Sequence, residues 1–212
     1  MQRYTVIALL ALSILPVQAA ASVREYSFKA WIDDRKVGSH NFTVTQDGDI
    51  TKVQADARFV VKLLFVKVFD YQHTITEQWR GDCLVDVESA TRSNGKKTTV
   101  SDAVIEGAAC PSSFAYWDRA KISKPELLNG QTGEFLPSTL ERVQRSRIPR
   151  TNIEADSYIL TTSMGPIQLW YGDNDEWLAL QSQVDDRTLT YVAKDLLTED
   201  LATEAVLASR QI

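Results

Sequence analysis

The sequence predicts an all-β protein: a strongly curved antiparallel sheet or incomplete β-barrel of about ten strands, with short helical segments and a possible C-terminal helix. Three observations carry that reading. Apolar and polar residues alternate with period two in one segment after another, the pattern of a half-buried strand. Tight turn signals separate the segments, among them Gln46-Asp47-Gly48-Asp49, Ser93-Asn94-Gly95-Lys96 and Gly172-Asp173-Asn174-Asp175, and such turns join antiparallel neighbours. Finally, many short strands with one apolar face each must either curl into a barrel or stack as a sandwich. Consecutive hairpins favour the curled meander.

The elements follow in order. In the first strand Tyr26, Phe28, Ala30 and Ile32 share one face, and Ser27, Lys29, Trp31 and Asp33 the other. A polar turn leads to Gly38–Thr45, with His40, Phe42 and Val44 on one side. The third strand sends Val53, Ala55, Ala57, Phe59, Val61 and Leu63 inward and Lys52, Gln54, Asp56 and Arg58 to water. Residues 59–69, FVVKLLFVKVF, are apolar on both faces apart from Lys62 and Lys67. The run reads as a crowded bend into the next strand, with an apolar lip that meets a ligand or partner as the alternative. The fourth strand aligns Tyr71, His73, Ile75, Glu77 and Trp79 on a single face. After Gly81-Asp82, Cys83, Val85 and Val87 are expected inside, and Asn94-Gly95 suits a type I′ turn into a strand over 97–106. Residues 107–133 have no period. They hold an aromatic cluster, Phe114, Tyr116 and Trp117, and PELLNGQTGEF, a short turn or helix. Strands resume over 135–148, interrupted by Pro137, over 153–162, in the aromatic hairpin IQLWYGDNDEWLALQSQ, and over 189–192.

Domain organisation is simple. Residues 1–21 have an early arginine, an apolar run from Val6 to Val17 and an Ala-rich end, the three parts of a secretory signal peptide. Residues 22–193 form one β domain, and 194–212 a tail that is helical or frayed. The protein is therefore expected to be exported, most simply to the periplasm of a Gram-negative bacterium. Cleavage leaves 191 of the 212 residues, and with Arg3 gone 22 basic residues face 28 acidic ones, a net charge of −6. That balance argues against nucleic acid or an anionic membrane as an electrostatic partner. No second apolar run is long enough to span a bilayer after cleavage. In an exported chain, the two cysteines Cys83 and Cys110 read as one disulfide, with two buried free thiols as the alternative. They lack the paired spacing of a zinc site and the closeness of a redox pair.

The two histidines of the chain, His40 and His73, fall on apolar faces together with Glu77 and Trp79. His73 and Glu77 are four residues apart along a strand, about 13 Å, too far to share one ion without a bulge. No metal site is predicted, and no cofactor. His40 and His73 can approach across the middle strand, where Ala55 and Ala57 leave room for two imidazoles. They are then either hydrogen-bonded core groups or the polar lining of a ligand cavity. His40, His73, Glu77, Trp79, Ala55 and Ala57 are accordingly the candidate lining residues, for a lipid-like small molecule. An enzyme using His40 or His73 as general base or metal ligand is the alternative, and a cell-envelope protein that binds another protein is a third. Signatures of serine hydrolases and of nucleotide-binding loops are missing from the sequence.

Several stretches together, VGSHNFTV, the His73-x-x-x-Glu77-x-Trp79 strand, ESATRSNGK, LLNGQTGEF and IQLWYGDNDEW, resemble an uncharacterised family of bacterial exported proteins known as a domain of unknown function. The resemblance spans residues 26–192 and carries no catalytic residue with it. The strand pattern is also distantly similar to periplasmic lipid and lipoprotein carriers of the LolA kind, which implies a curved sheet around an apolar cavity.

Overall fold

A computed structural model describes residues 20–63, 66–184 and 186–197. The signal-like segment before residue 20 and the tail beyond residue 197 lie outside them, as do the side chains of residues 62–68. Thirteen strands form one antiparallel sheet: β1 (Ser22–Ile32), β2 (Arg35–Asp47), β3 (Ile50–Leu63), β4 (Val66–Arg80), β5 (Cys83–Ser93), β6 (Lys96–Val100), β7 (Glu126–Leu128), β8 (Phe135–Arg142), β9 (Ser146–Arg147), β10 (Glu154–Thr162), β11 (Gly165–Tyr171), β12 (Trp177–Val184) and β13 (Arg187–Ala193). The spatial order is β6-β5-β4-β3-β2-β1-β13-β12-β11-β10-β8-β7, with β9 paired to β10. Two meanders thus meet where the first strand pairs with the last.

The expected alternation holds through β1, β2 and the described side chains of β3 and β4. The Asn94-Gly95 turn takes positive φ at both residues, +49° and +86°, as a type I′ hairpin requires. Gly38 lies opposite Phe59, where a Cβ would stand 1.8 Å from the carbonyl oxygen of Arg58; only glycine permits that approach. The inward faces build one core in which Phe28 meets Trp177 at 4.1 Å between ring centroids and Phe42 meets it at 5.3 Å. A second, smaller cluster on the outer face joins Trp31, Ile148, Trp170 and Val192 with Leu196 and Leu197 of the helical residues 194–197.

Several expectations need correction. Val85 is 39% exposed, whereas Leu84 is buried. The cause is a register shift between Gln78 and Trp79, whose partners are Asp86 and Leu84; the extra residue turns Val85 outward. The strand expected over 97–106 ends at Val100 and gives way to a 3₁₀ turn at Asp102–Ile105. The segment 135–148 divides into β8 and β9, and PELLNGQTGEF holds the three-residue strand β7 followed by the expected turn at 130–132, not a helix.

Among the described residues no strand pairing joins β6 to β7, so the sheet is not closed by a ladder. The segment between them occupies the seam. Leu84 N–H donates to the Pro111 carbonyl at 2.9 Å, Leu128 N–H to the Ser112 carbonyl at 2.7 Å, and Ser113 forms a parallel bridge with Leu128. The disulfide Cys83–Cys110 ties the same segment to β5. Next comes a short helix, α1 (Arg119–Ile122), capped by the Asp118 carboxylate on Ala120 N–H. It turns Lys121 into the barrel end, where the ammonium donates to the Gly81 carbonyl at 3.0 Å, pairs with Asp82 and Asp118, and faces the rings of Trp79 and Trp117. Residues 110–122 are thus a plug across one end of the barrel.

Candidate functional site

Register places the histidines without further assumption. His40 and His73 are both paired with Ala57, from opposite sides, so the three residues form one row across β2, β3 and β4. Their Cα atoms are therefore about 10 Å apart, and the small alanine between leaves open volume above it. One row further in, Phe42, Ala55 and Ile75 align; the next row holds Val44, Val53 and Glu77.

That open volume is a cavity of about 460 Å³, within the size range of small-molecule sites. His40, Ala57, His73 and Glu77 line it. Its floor is the plug, through Ser113–Trp117, and its far wall comes from Ile167, Leu180 and Tyr191. It reaches the surface beside Met164 and Val184, which both line it and are 55% and 50% exposed. Two of the six candidate lining residues stand elsewhere. Ala55 is buried in the core, paired with Phe42 on the neighbouring strand, and Trp79 is fully buried outside the cavity lining. There Trp79 donates its indole N–H to Glu77 Oε2 at 3.0 Å and stands 6.1 Å from Trp117 in an edge-on arrangement. It orients the carboxyl rather than meeting the cavity.

The polar groups are few and their environments differ. His73 Nδ1 is 2.9 Å from the hydroxyl of buried Thr91, its neighbour on β5. His40 lies 4.2 Å from the Phe42 ring and edge-on to Tyr191, and neither of its ring nitrogens has a partner although both are sealed from solvent. Trp117 Nε1 is likewise buried and unpartnered. Burial lowers the pKa of His40 to about 3, with His73 adding to the effect, and that of His73 to about 4. Burial also raises Glu77 and Tyr71; the hydroxyl of Ser113 and the Trp79 N–H favour the charged form of Glu77 and only partly offset it. The imidazoles are therefore neutral at physiological pH. A general base works best with a pKa near the working pH, so these two are weak bases. Among the described residues, no three His, Cys, Asp or Glu side chains converge as a metal site. No helix among them is long and apolar enough to cross a membrane.

Sequence reasoning missed Ser113, Trp117, Asn129 and Lys121. Their segment has no period, and only the aromatic cluster and Asn129-Gly130 mark it. Asn129 is buried at the seam, and its amide holds the Gln131 N–H and the Met164 sulfur. Ser89 Oγ bonds the Gly130 carbonyl across the gap from β5.

Fold and site together define a β-barrel-like protein with a plugged end, a disulfide-tied seam and an interior cavity. The chain belongs to the family described as domain of unknown function DUF6134, whose family model matches residues 28–194. It is similar in fold to the crystal structure of a β-barrel-like protein of domain of unknown function DUF1849 from Brucella abortus. The identity is 7% and the TM-score 0.52, over 80% of this chain and 94% of that one. No curated protein matches the chain.

Proposed function

We propose that the protein is an exported binding module that holds one apolar or amphipathic, lipid-like molecule in its cavity, in the manner of the LolA-like carriers its strand pattern resembles. One observation supports this above all. A mostly apolar cavity contains buried polar atoms that no protein group satisfies: both nitrogens of His40 and Trp117 Nε1. Each such group costs about 1–3 kcal/mol when left unpaired, and a guest carrying one or two oxygen atoms recovers that cost. The histidines beside them are neutral, so the polar end of the guest is itself uncharged, a hydroxyl, ester or amide rather than a carboxylate. Export accords with the signal-like N-terminus and with a disulfide, which persists in oxidising compartments.

Native mass spectrometry of the protein recovered from the periplasm tests the reading. The expected result is a population heavier by the mass of one small molecule, which solvent extraction releases. His40→Phe keeps the ring contacts with Phe42 and Tyr191 and deletes both nitrogens. It should fold with unchanged or slightly higher stability and lose the added mass. A homogeneous population at the mass of the chain alone, together with no uptake of a fluorescent fatty-acyl ester, contradicts the proposal.

A further inference from the structure

The cavity holds one acidic side chain that an uncharged guest leaves unused. Among the described residues that line it, Glu77 is the only aspartate, glutamate, lysine or arginine. It lies on β4 four residues beyond His73, about 13 Å further in, opposite Val53. Its carboxyl stands at the cavity wall. On one flank Trp79, outside the lining, donates its indole N–H at 3.0 Å; on the other, the hydroxyl of Ser113, a lining residue, bonds it. Both bonds favour the ionised form. A carboxylate has about four acceptor positions, so two donors leave capacity for a third.

No protein cation takes that place. Lys121 is outside the lining, and its ammonium is engaged by the Gly81 carbonyl, Asp82 and Asp118 while it faces Trp79 and Trp117. Burial raises Glu77, and no positive charge offsets the effect. A buried carboxylate without a counter-ion is costly, and pairing it removes most of that cost. The wall around it is aromatic. Phe42, Tyr71, Phe114, Tyr116, Trp117 and Tyr191 line the cavity, and Phe114 and Tyr116 lie 6.0 Å apart on the same floor segment as Ser113. Ring faces attract a desolvated cation and repel an anion. One unpaired carboxyl within such a wall is the chemistry that recognises an alkylammonium: opposite charge at the carboxyl, ring faces around the nitrogen and apolar space for the chain.

We infer that Glu77 anchors a cationic nitrogen, and that the guest of the cavity is an alkyl amine whose ammonium sits against the Glu77 carboxyl and the aromatic floor. This role for Glu77 rests on the ligand cavity proposed above and supplies the chemistry of the guest's inner end. The group that meets His40, two rows nearer the mouth, remains uncharged.

The test uses the full chain, refolded from urea with its disulfide intact so that the cavity is free. It is titrated calorimetrically near neutral pH with decylamine, decanol and decanoate. Decylamine should bind as one molecule per chain and about tenfold to a hundredfold more tightly than decanol, the range of a hydrogen bond to a charged group; decanoate should bind weakest. Glu77→Gln keeps an acceptor for Trp79. It should lose the preference for the amine while its affinity for decanol changes less than about threefold, and retained decanol binding shows that the variant is folded. Decanol bound by the wild type as tightly as decylamine, or an amine preference that persists in Glu77→Gln, overturns the assignment and leaves the cavity a neutral-ligand site in which Glu77 only orients Trp79. Uptake of none of the three probes overturns both the assignment and the ligand cavity beneath it. The wild-type ranking alone can refute the role of Glu77, so the outcome does not depend on the variant's stability.

Discussion

Replacing both bridged cysteines, Cys83→Ser with Cys110→Ser, should loosen the seam before it unfolds the barrel. The bond closes a loop of 28 residues, since Cys83 and Cys110 are 27 apart. Loop-closure entropy assigns such a loop about 3.6 kcal/mol. With a urea m-value of about 2 kcal/mol per molar, the midpoint should fall by about 1.8 M. The loss has a local face as well. The bonds of Leu84 to Pro111 and of Leu128 to Ser112, the Ser113–Leu128 bridge and the contacts of Lys121 with Gly81 and Asp82 then hold the segment between β5 and β7. Hydrogen exchange should accelerate at the amides of Leu84 and Leu128 well before it does at the paired residues His40, Ala57 and His73. A midpoint shift below about 0.5 M, or acceleration spread evenly over the sheet, would refute the assignment of the bond to the seam.

Three further outcomes follow from the same contacts. Lys121→Met keeps the stem but removes the bond to Gly81 and the contacts with Trp79 and Trp117; a loss of about 2–4 kcal/mol is expected in denaturant titration. Gly38→Ala places a methyl group against the Arg58 carbonyl and should cost about 1–3 kcal/mol, read as a lower melting temperature. The titrating groups pull in opposite directions. His40 and His73 have depressed folded values of about 3 and about 4. Their contribution is therefore complete above the unfolded value of about 6.5 and is lost as pH falls toward the folded values, at about 1.4 kcal/mol per unit per group. Glu77 is raised, so its contribution is complete below its unfolded value and is lost as pH rises through the folded one. Glu77→Gln can still accept from Trp79, so its stability relative to the wild type should improve as pH rises from 4 to 7. A constant difference over that range would contradict the upward shift of the buried carboxyl.

How much of this was legible in the sequence depends on periodicity. In β2–β4 the two-residue alternation is regular, so the inward positions of His40, Ala57, His73 and Glu77 could be read from residues alone. Their common row could not, because register depends on turn length, and the 64–65 connection in FVVKLLFVKVF has no turn residue to mark it. At Val85 the alternation misled, since the bulge at Trp79 shifts the count by one. The plug was beyond reach for a different reason. Ser113, Trp117 and Lys121 sit on irregular backbone, and tertiary bonds to Gly81, Leu84 and Leu128 set their directions. Trp79 shows the limit of a face assignment: it points inward, yet the plug stands between it and the cavity.

The pairing of β1 with β13 has a consequence for how the chain reaches this shape. These strands, the first and last of the barrel, are neighbours in the middle of the sheet, while β6 and β7, from mid-chain, form its two edges. Neither half can join the other until residue 193 is available, and contacts of such long sequence separation form slowly. Synthesis and any translocation must therefore be finished before the barrel can assemble, and a nascent chain stopped short of β13 remains two unjoined meanders.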